Sequence, residues 1–206
     1  MMIRVGLVDD HPLALSGLDA ALATVDGMEV VAHAGSLAAA RELTNRPDLD
    51  VLLLDIRLPD GNGLALLSEV GRRRRPAVIV LSSFDMSQYV AAAVRFGAQG
   101  FVLKTAPLEE LISAIRRVAE GGSAFTAEQL REGRSGFVAL SHRERDVLRL
   151  ILESRSNDEV ASALHISPKT VEAHLSRLYE RFGAMSRTEL ALRAEREGWL
   201  DVGGDS

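Results

Sequence analysis

There is no cysteine among the 206 residues of this chain. That excludes disulfide bridges, thiolate catalysis and cysteine-ligated zinc, and it suits a reducing compartment. No apolar run reaches the roughly 20 residues of a membrane-spanning helix. The N-terminus lacks the pattern of a secretory signal, so the expected location is the cytoplasm. An excess of positive charge is missing as well, the formal net charge being −5 at pH 7. Residues 1–120 hold 12 bases against 15 acids, and residues 138–206 hold 10 against 12. Neither region is strongly basic, so any contact with nucleic acid must come from a local patch.

What is present divides in two. Hydrophobic residues make up 47% of the chain, enough for a packed core. In the first 120 residues, apolar runs alternate with helical periodicity. Strands are expected over Ile3–Val8, Met28–Ala34, 51–54, 77–81 and Gly100–Leu103, and helices over 12–24, 37–45, 64–72, 86–96 and 107–120. Five βα units with short connections predict an α/β domain with a doubly wound, five-stranded parallel sheet. Ser36 suits an N-cap, Pro107 a first helical turn, and Glu109 and Glu110 the positive end of that helix.

Residues 121–137 read as a linker. Gly121 and Gly122 end the last helix, and the polar run 131–136 is what a short connection needs. Thr126 and Gln129 have capping-box spacing, so there is room for a short helix. Residues 138–202 read as a small all-α domain. A capping box, Ser141 with Glu144, precedes Val147, Leu148, Leu150 and Ile151. Further helices are expected over 158–164, Pro168–Phe182 and 188–197, and the middle pair has helix-turn-helix spacing.

Chemistry gathers at strand ends. Asp9 and Asp10 follow the first strand, Asp55 the third, Ser82 the fourth and Lys104 the fifth. Ligands of open α/β sheets bind at that edge. Taken singly, each residue has an ordinary explanation in a turn, a helix cap or a solvated amine. Together they supply oxygen ligands for a divalent cation, an amine and a hydroxyl for phosphate oxygens, and a carboxylate to receive a phosphoryl group.

In order along the chain, these residues resemble the receiver domain of bacterial response regulators, a flavodoxin-like fold. The match comprises Asp9, Asp10, Asp55 with Ile56 to Pro59, Ser82, Phe101, and Lys104 ahead of Thr105, Ala106 and Pro107. The resemblance implies that Asp55 accepts phosphate from a sensor histidine kinase. It implies Mg²⁺ held by Asp10, Asp55 and the Arg57 backbone carbonyl, with Asp9 acting through water. Ser82 and Lys104 would bind the phosphate, and Ser82 and Phe101 would rearrange as the switch, although Phe101 serves equally as a plain core residue. Segments 156–161, 166–174 and 187–190 resemble the LuxR-type DNA-binding domain. Over nearly its whole length the chain resembles a two-component response regulator of the NarL/FixJ class. The expected protein is a transcription factor on double-stranded DNA, not an enzyme beyond its own phosphotransfer, and a homodimer when phosphorylated.

In the helical part, Ser167 can cap the second helix of the pair, and Lys169, Thr170 and Arg177 can reach phosphates or base edges. The resemblance places Glu172, Ala173 and Ser176 at base-reading positions. Val171, Leu175 and Leu178 have core spacing. His174 suits either a phosphate contact or packing. The last helix, with Leu190, Leu192 and Ala194, suits either a dimer contact or its own core.

The chain also departs from its family. Asp60, Gly61 and Asn62 stand where a glycine, an apolar residue and an aspartate are usual, which predicts a local change of loop shape. Phe101 lacks the hydroxyl of the usual tyrosine. Glu180 and Met185 replace common bases, leaving Arg181 and Arg187, so two half-sites and a dimer are expected to compensate. Residues 72–75, all arginine, read as a solvated helix end. Arg57 and Phe84 are bulky where the family's attacking water passes, which predicts slow loss of phosphate. The rivals are an aspartyl-phosphate phosphatase or transferase, a helical output that binds protein or RNA, and a receiver that is never phosphorylated.

Overall fold

The computed structural model describes residues 2–70, 76–83, 85, 87–135, 140–196 and 199–200. Residues 72–75 and Phe84 lie outside the described residues. Those described form two compact units, 2–135 and 140–200.

The first unit runs β1 (Ile3–Val8), α1 (Pro12–Ala23), β2 (Met28–Ala34), α2 (Leu37–Leu43), β3 (Val51–Asp55), β4 (Arg57–Leu58), β5 (Gly61–Asn62), α3 (Gly63–Val70), β6 (Ala77–Ser82), α4 (Ser87–Arg95), β7 (Gly100–Leu103), α5 (Leu108–Ala119) and α6 (Ala127–Ser135). The main sheet is parallel, in the order β2-β1-β3-β6-β7. Strands β3 and β6 are buried at every position, as central strands covered on both faces must be. Both run one residue beyond the expected end, so Asp55 and Ser82 are themselves strand residues, in register with Leu81 and Leu103. The order reverses direction between β1 and β3, and there the carboxyl edge opens a crevice.

Local chemistry explains the helices. Ser36 caps α2 by accepting from Ala39 N. Helix α5 buries Leu111, Ala114, Ile115 and Val118, one stripe at helical spacing. Pro107 sits at the N-cap of α5, not in its first turn, because its extended backbone still lets its carbonyl accept from Glu110 N. Between β3 and α3 a small antiparallel hairpin, β4 with β5, pairs Arg57 with Asn62. Asp60 at its tip accepts from Leu37 N at 2.6 Å and Ala38 N at 2.9 Å, and so ties the loop to the start of α2.

Residues 131–135, expected as linker, are helical and complete α6. Thr126 and Gln129 cap it reciprocally: Thr126 N donates to Gln129 Oε1 and Gln129 N to Thr126 Oγ1. The polar run is helical because α6 has α4 to lie on.

The second unit holds α7 (His142–Leu152), α8 (Asn157–Leu164), α9 (Pro168–Phe182) and α10 (Arg187–Arg196). Capping boxes start α7 at Ser141 with Glu144 and α8 at Ser156 with Glu159. His165 ends α8 in the left-handed conformation, which turns the chain into α9. The core gathers Val147, Leu148, Val160, Val171, Leu175 and Leu178, closed by the stacked rings of Phe182 and Trp199.

Candidate functional site

Parallel strands bring the five sequence-predicted polar residues to one edge. Asp9, Asp55 and Ser82 are buried, whereas Asp10 is exposed. Lys104 Nζ donates to Asp9 Oδ2 at 2.6 Å and to Asp55 Oδ2 at 2.7 Å. Asp55 Oδ1 accepts from Ile56 N at 2.8 Å. A cavity of about 250 Å³ opens over this group, lined by Asp55, Arg57, Ser82, Ser83, Tyr89 and Lys104 among others. Phe101 is 2% exposed, beneath α4 on β7.

Electrostatics separate the two buried acids. Burial pushes the Asp9 carboxyl up, but hydrogen bonds from Lys104 and the His11 backbone outweigh it and hold Asp9 below the usual carboxylate range. Burial dominates at Asp55, which stays above that range despite Lys104. Burial also lowers Lys104, yet its bonds to Asp55 and Asp9 carry it above the ordinary lysine value. The cation therefore stays charged between two acids, and Asp55 is the more proton-seeking of them.

His11 joins this acidic group. Its Nδ1 lies 2.7 Å from Asp10 Oδ1 and 3.1 Å from Asp9 Oδ1, and its backbone N–H donates to Asp9 Oδ1. Its position directly after the acid pair was the available signal. Asp9, Asp10, His11 and Asp55 each offer a ligand atom within 4.8 Å of the others. An acidic pocket of this kind suits a divalent cation, and three carboxylates are hard oxygen donors. Gly63, one of the glycines that follow Asp55, closes the loop after β3. A Cβ there would lie 2.1 Å from the Asp55 carbonyl oxygen, so only glycine lets the loop close over β3.

The second unit presents α9. Lys169, Glu172, Ala173, Ser176 and Arg177 are all exposed, at the spacing of one helical face. Val171, Leu175, Leu178 and Phe182 are buried on the other. Ser167 Oγ accepts from Thr170 N at 3.1 Å, so Ser167 and Thr170 form the cap as well as flanking the face. His174 is half-buried, and its Nδ1 finds no hydrogen-bond partner among the described residues, which favours packing over phosphate contact. Arg181 and Arg187 are engaged within the domain. Arg181 pairs with Glu144 at 3.2 Å, and Arg187 bonds Asn157 Oδ1 and the Arg155 carbonyl. On α10, Leu190 and Ala194 are buried in the domain's own core, whereas Leu192 is 62% exposed.

Residues 5–116 match the family profile of the response regulator receiver domain, and residues 138–194 that of the luxR family of bacterial regulatory proteins. The chain is 38% identical to the transcriptional regulatory protein MctR of Rhizobium johnstonii, over 88% of this chain and 87% of that one. It is also 38% identical to the nitrate/nitrite response regulator protein NarP of Escherichia coli, over 89% and 90% of the two chains. Among solved structures it is similar to a complex of the two-component response regulator RcsB with DNA. There the TM-score is 0.64 at 26% identity, covering 95% of this chain and 99% of the other. That family consists of DNA-binding transcription regulators and not of enzymes. The chain belongs to the two-component response regulators of the NarL/FixJ class, with a receiver domain ahead of a LuxR-type helix-turn-helix domain.

Proposed function

We propose that Asp55 is the phosphoacceptor and that its modification controls DNA binding by the α9 face. The observation that carries this reading is Lys104 Nζ held between Asp9 Oδ2 and Asp55 Oδ2 at the mouth of an open cavity. A buried carboxylate beside a fixed cation is a prepared receiver of phosphoryl charge, since such transfer depends mostly on positioning and neutralisation.

Asp10, Asp55 and the Arg57 carbonyl would hold Mg²⁺, with Asp9 acting through water. When bound, that ion neutralises charge on the phosphoryl oxygens. Asp55 holds Oδ1 to Ile56 N and turns Oδ2 toward Lys104. Phosphorylation replaces one negative charge there by roughly two, so Lys104 follows the new oxygens. Ser82 is within the same cavity lining, and its hydroxyl is placed to follow them too. Phe101 then has reason to shift with the strand edge.

The phosphodonor is a sensor histidine kinase, and the target is double-stranded DNA in the cytoplasm. Ser167, Lys169, Thr170 and Arg177 approach phosphates, and Glu172, Ala173 and Ser176 face base edges. With Arg181 and Arg187 occupied inside the domain, one copy has few cations to spend. Two copies on two half-sites supply what one lacks, which favours a phosphorylation-promoted homodimer.

The test uses a small phosphodonor with MgCl₂ and intact-mass measurement. One phosphoryl group is expected on the wild type and none on Asp55→Asn. Equal modification of both proteins overturns the assignment.

A further inference from the structure

Helix α4 is covered on more sides than a helix lying on a sheet should be. Residues 88–93, six in succession, are all buried. Six consecutive helical residues point in every direction around the axis, so both the sheet side and the outer side are covered. The outer cover is α6. Gly133 presses on Val94, where a Cβ would lie 2.8 Å from Val94 Cγ2 and 2.9 Å from its Cβ. Only glycine allows the two helices this approach.

The same segment is fastened to the sheet edge. Strand β7 is terminal in the sheet. Ala124 forms a parallel bridge with Gly100, and its N–H donates to the Gln99 carbonyl at 2.7 Å. Gln129 Nε2 donates to the Phe101 carbonyl at 3.3 Å. The residue that caps α6 thus also holds the backbone of Phe101. Phe101 pairs with Val80, and Leu103 with Ser82, so the bonds run across to the strand that ends in the site. A shift of Ser82 or Phe101 would disturb both surfaces on which the segment rests. The connection onward is short. Ser135 ends α6, and Leu140 follows five residues later, a span of at most about 17 Å when extended.

We propose that residues 123–135 form a strap that closes the α4–β7 face of the unphosphorylated protein, and that phosphorylation of Asp55 lifts α6 from α4. This rests on the reading of Asp55 as the phosphoacceptor. While the strap is closed, the face is not open to a second copy of the chain, and the tether to the DNA-binding domain starts from a fixed point.

Hydrogen–deuterium exchange on the full chain tests this, with MgCl₂ present and beryllium fluoride as the phosphoryl mimic. With the mimic, amides of 124–135 are expected to exchange about tenfold faster or more, while those around Asp55 slow. If the Asp55 region responds and 124–135 keeps its protection, the strap is overturned and the phosphoacceptor reading stands. If neither responds, both fall. A second arm uses Gly133→Ala, which drives a methyl into Val94. Faster exchange of 124–135 is expected without the mimic, with exchange of Met28–Ala34 unchanged. Unaltered protection of 124–135 in this variant overturns the strap.

Discussion

Gly63 meets the backbone of Asp55 so closely that a Cβ would stand 2.1 Å from the Asp55 carbonyl oxygen. Gly63 N also donates to the Ile56 carbonyl at 2.7 Å, so the loop after β3 is pinned across the Asp55 peptide. Gly63→Ala must displace backbone, because no flexible side chain is there to yield. A loss of about 1–3 kcal/mol is expected, measured by urea unfolding. Modification of Asp55 by a small phosphodonor should slow by about a hundredfold, since a misplacement near 1 Å is costly for positioned chemistry.

Removing Lys104 leaves Asp9 and Asp55 facing each other without their shared cation. Breaking a buried pair this way is destabilising, and partial exposure of Lys104 keeps the expected cost of Lys104→Met at or below about 3 kcal/mol. A divalent cation can replace the lost charge. The gain in melting temperature on adding MgCl₂ should therefore be larger in the variant than in the wild type, and differential scanning fluorimetry measures it.

Asp60 makes stability depend on pH. Its carboxyl is held below the usual value by the Ala38 and then the Leu37 backbone N–H groups. A folded-state value below the unfolded one means that the contribution is present above the unfolded carboxylate range, about pH 4, and is lost as pH falls through the folded value. Asp60→Asn should be less stable than the wild type at pH 6, and the difference should shrink on acidification. Thermal unfolding between pH 6 and the acid limit of folding checks the sign.

On α9, Lys169→Ala and Arg177→Ala should each weaken DNA binding similarly on all sequences and reduce the salt slope by about 1. Glu172→Gln should instead change preference at one base pair, by about 1–3 kcal/mol. Fluorescence anisotropy on a selected operator and a scrambled duplex, across a salt series, separates the two behaviours. On paired half-sites, binding should tighten when Asp55 carries a phosphoryl group.

The main strands were legible because central parallel strands are apolar at every position, as 51–54 and 77–81 are. That Asp9, Asp10, Asp55, Ser82 and Lys104 share one edge was legible because each lies at or just after the carboxyl end of a strand. His11 was marked only by its adjacency to Asp10, and adjacency leaves open which way the ring turns. Arg181 and Arg187 looked available for DNA, and only the folded domain shows them bonded to Glu144, Asn157 and the Arg155 carbonyl. The helix between the two domains extends through 131–135, further than its capping residues suggest, because a polar, glycine-containing run has weak helix propensity of its own and α4 supplies the surface that makes it helical.

By itself the sequence determined the order of the main strands and helices, the carboxylates, hydroxyl and amine of the site, and the capping box of Ser141 with Glu144. Those depend on residue type and on spacing along the chain. The tertiary structure alone decided that Asp9 and Asp55 share Lys104, that Asp60 caps a helix more than twenty residues away, and that 123–135 closes over α4 and β7. These contacts join segments far apart in sequence, and packing them costs chain entropy that only the assembled sheet and its helices offset.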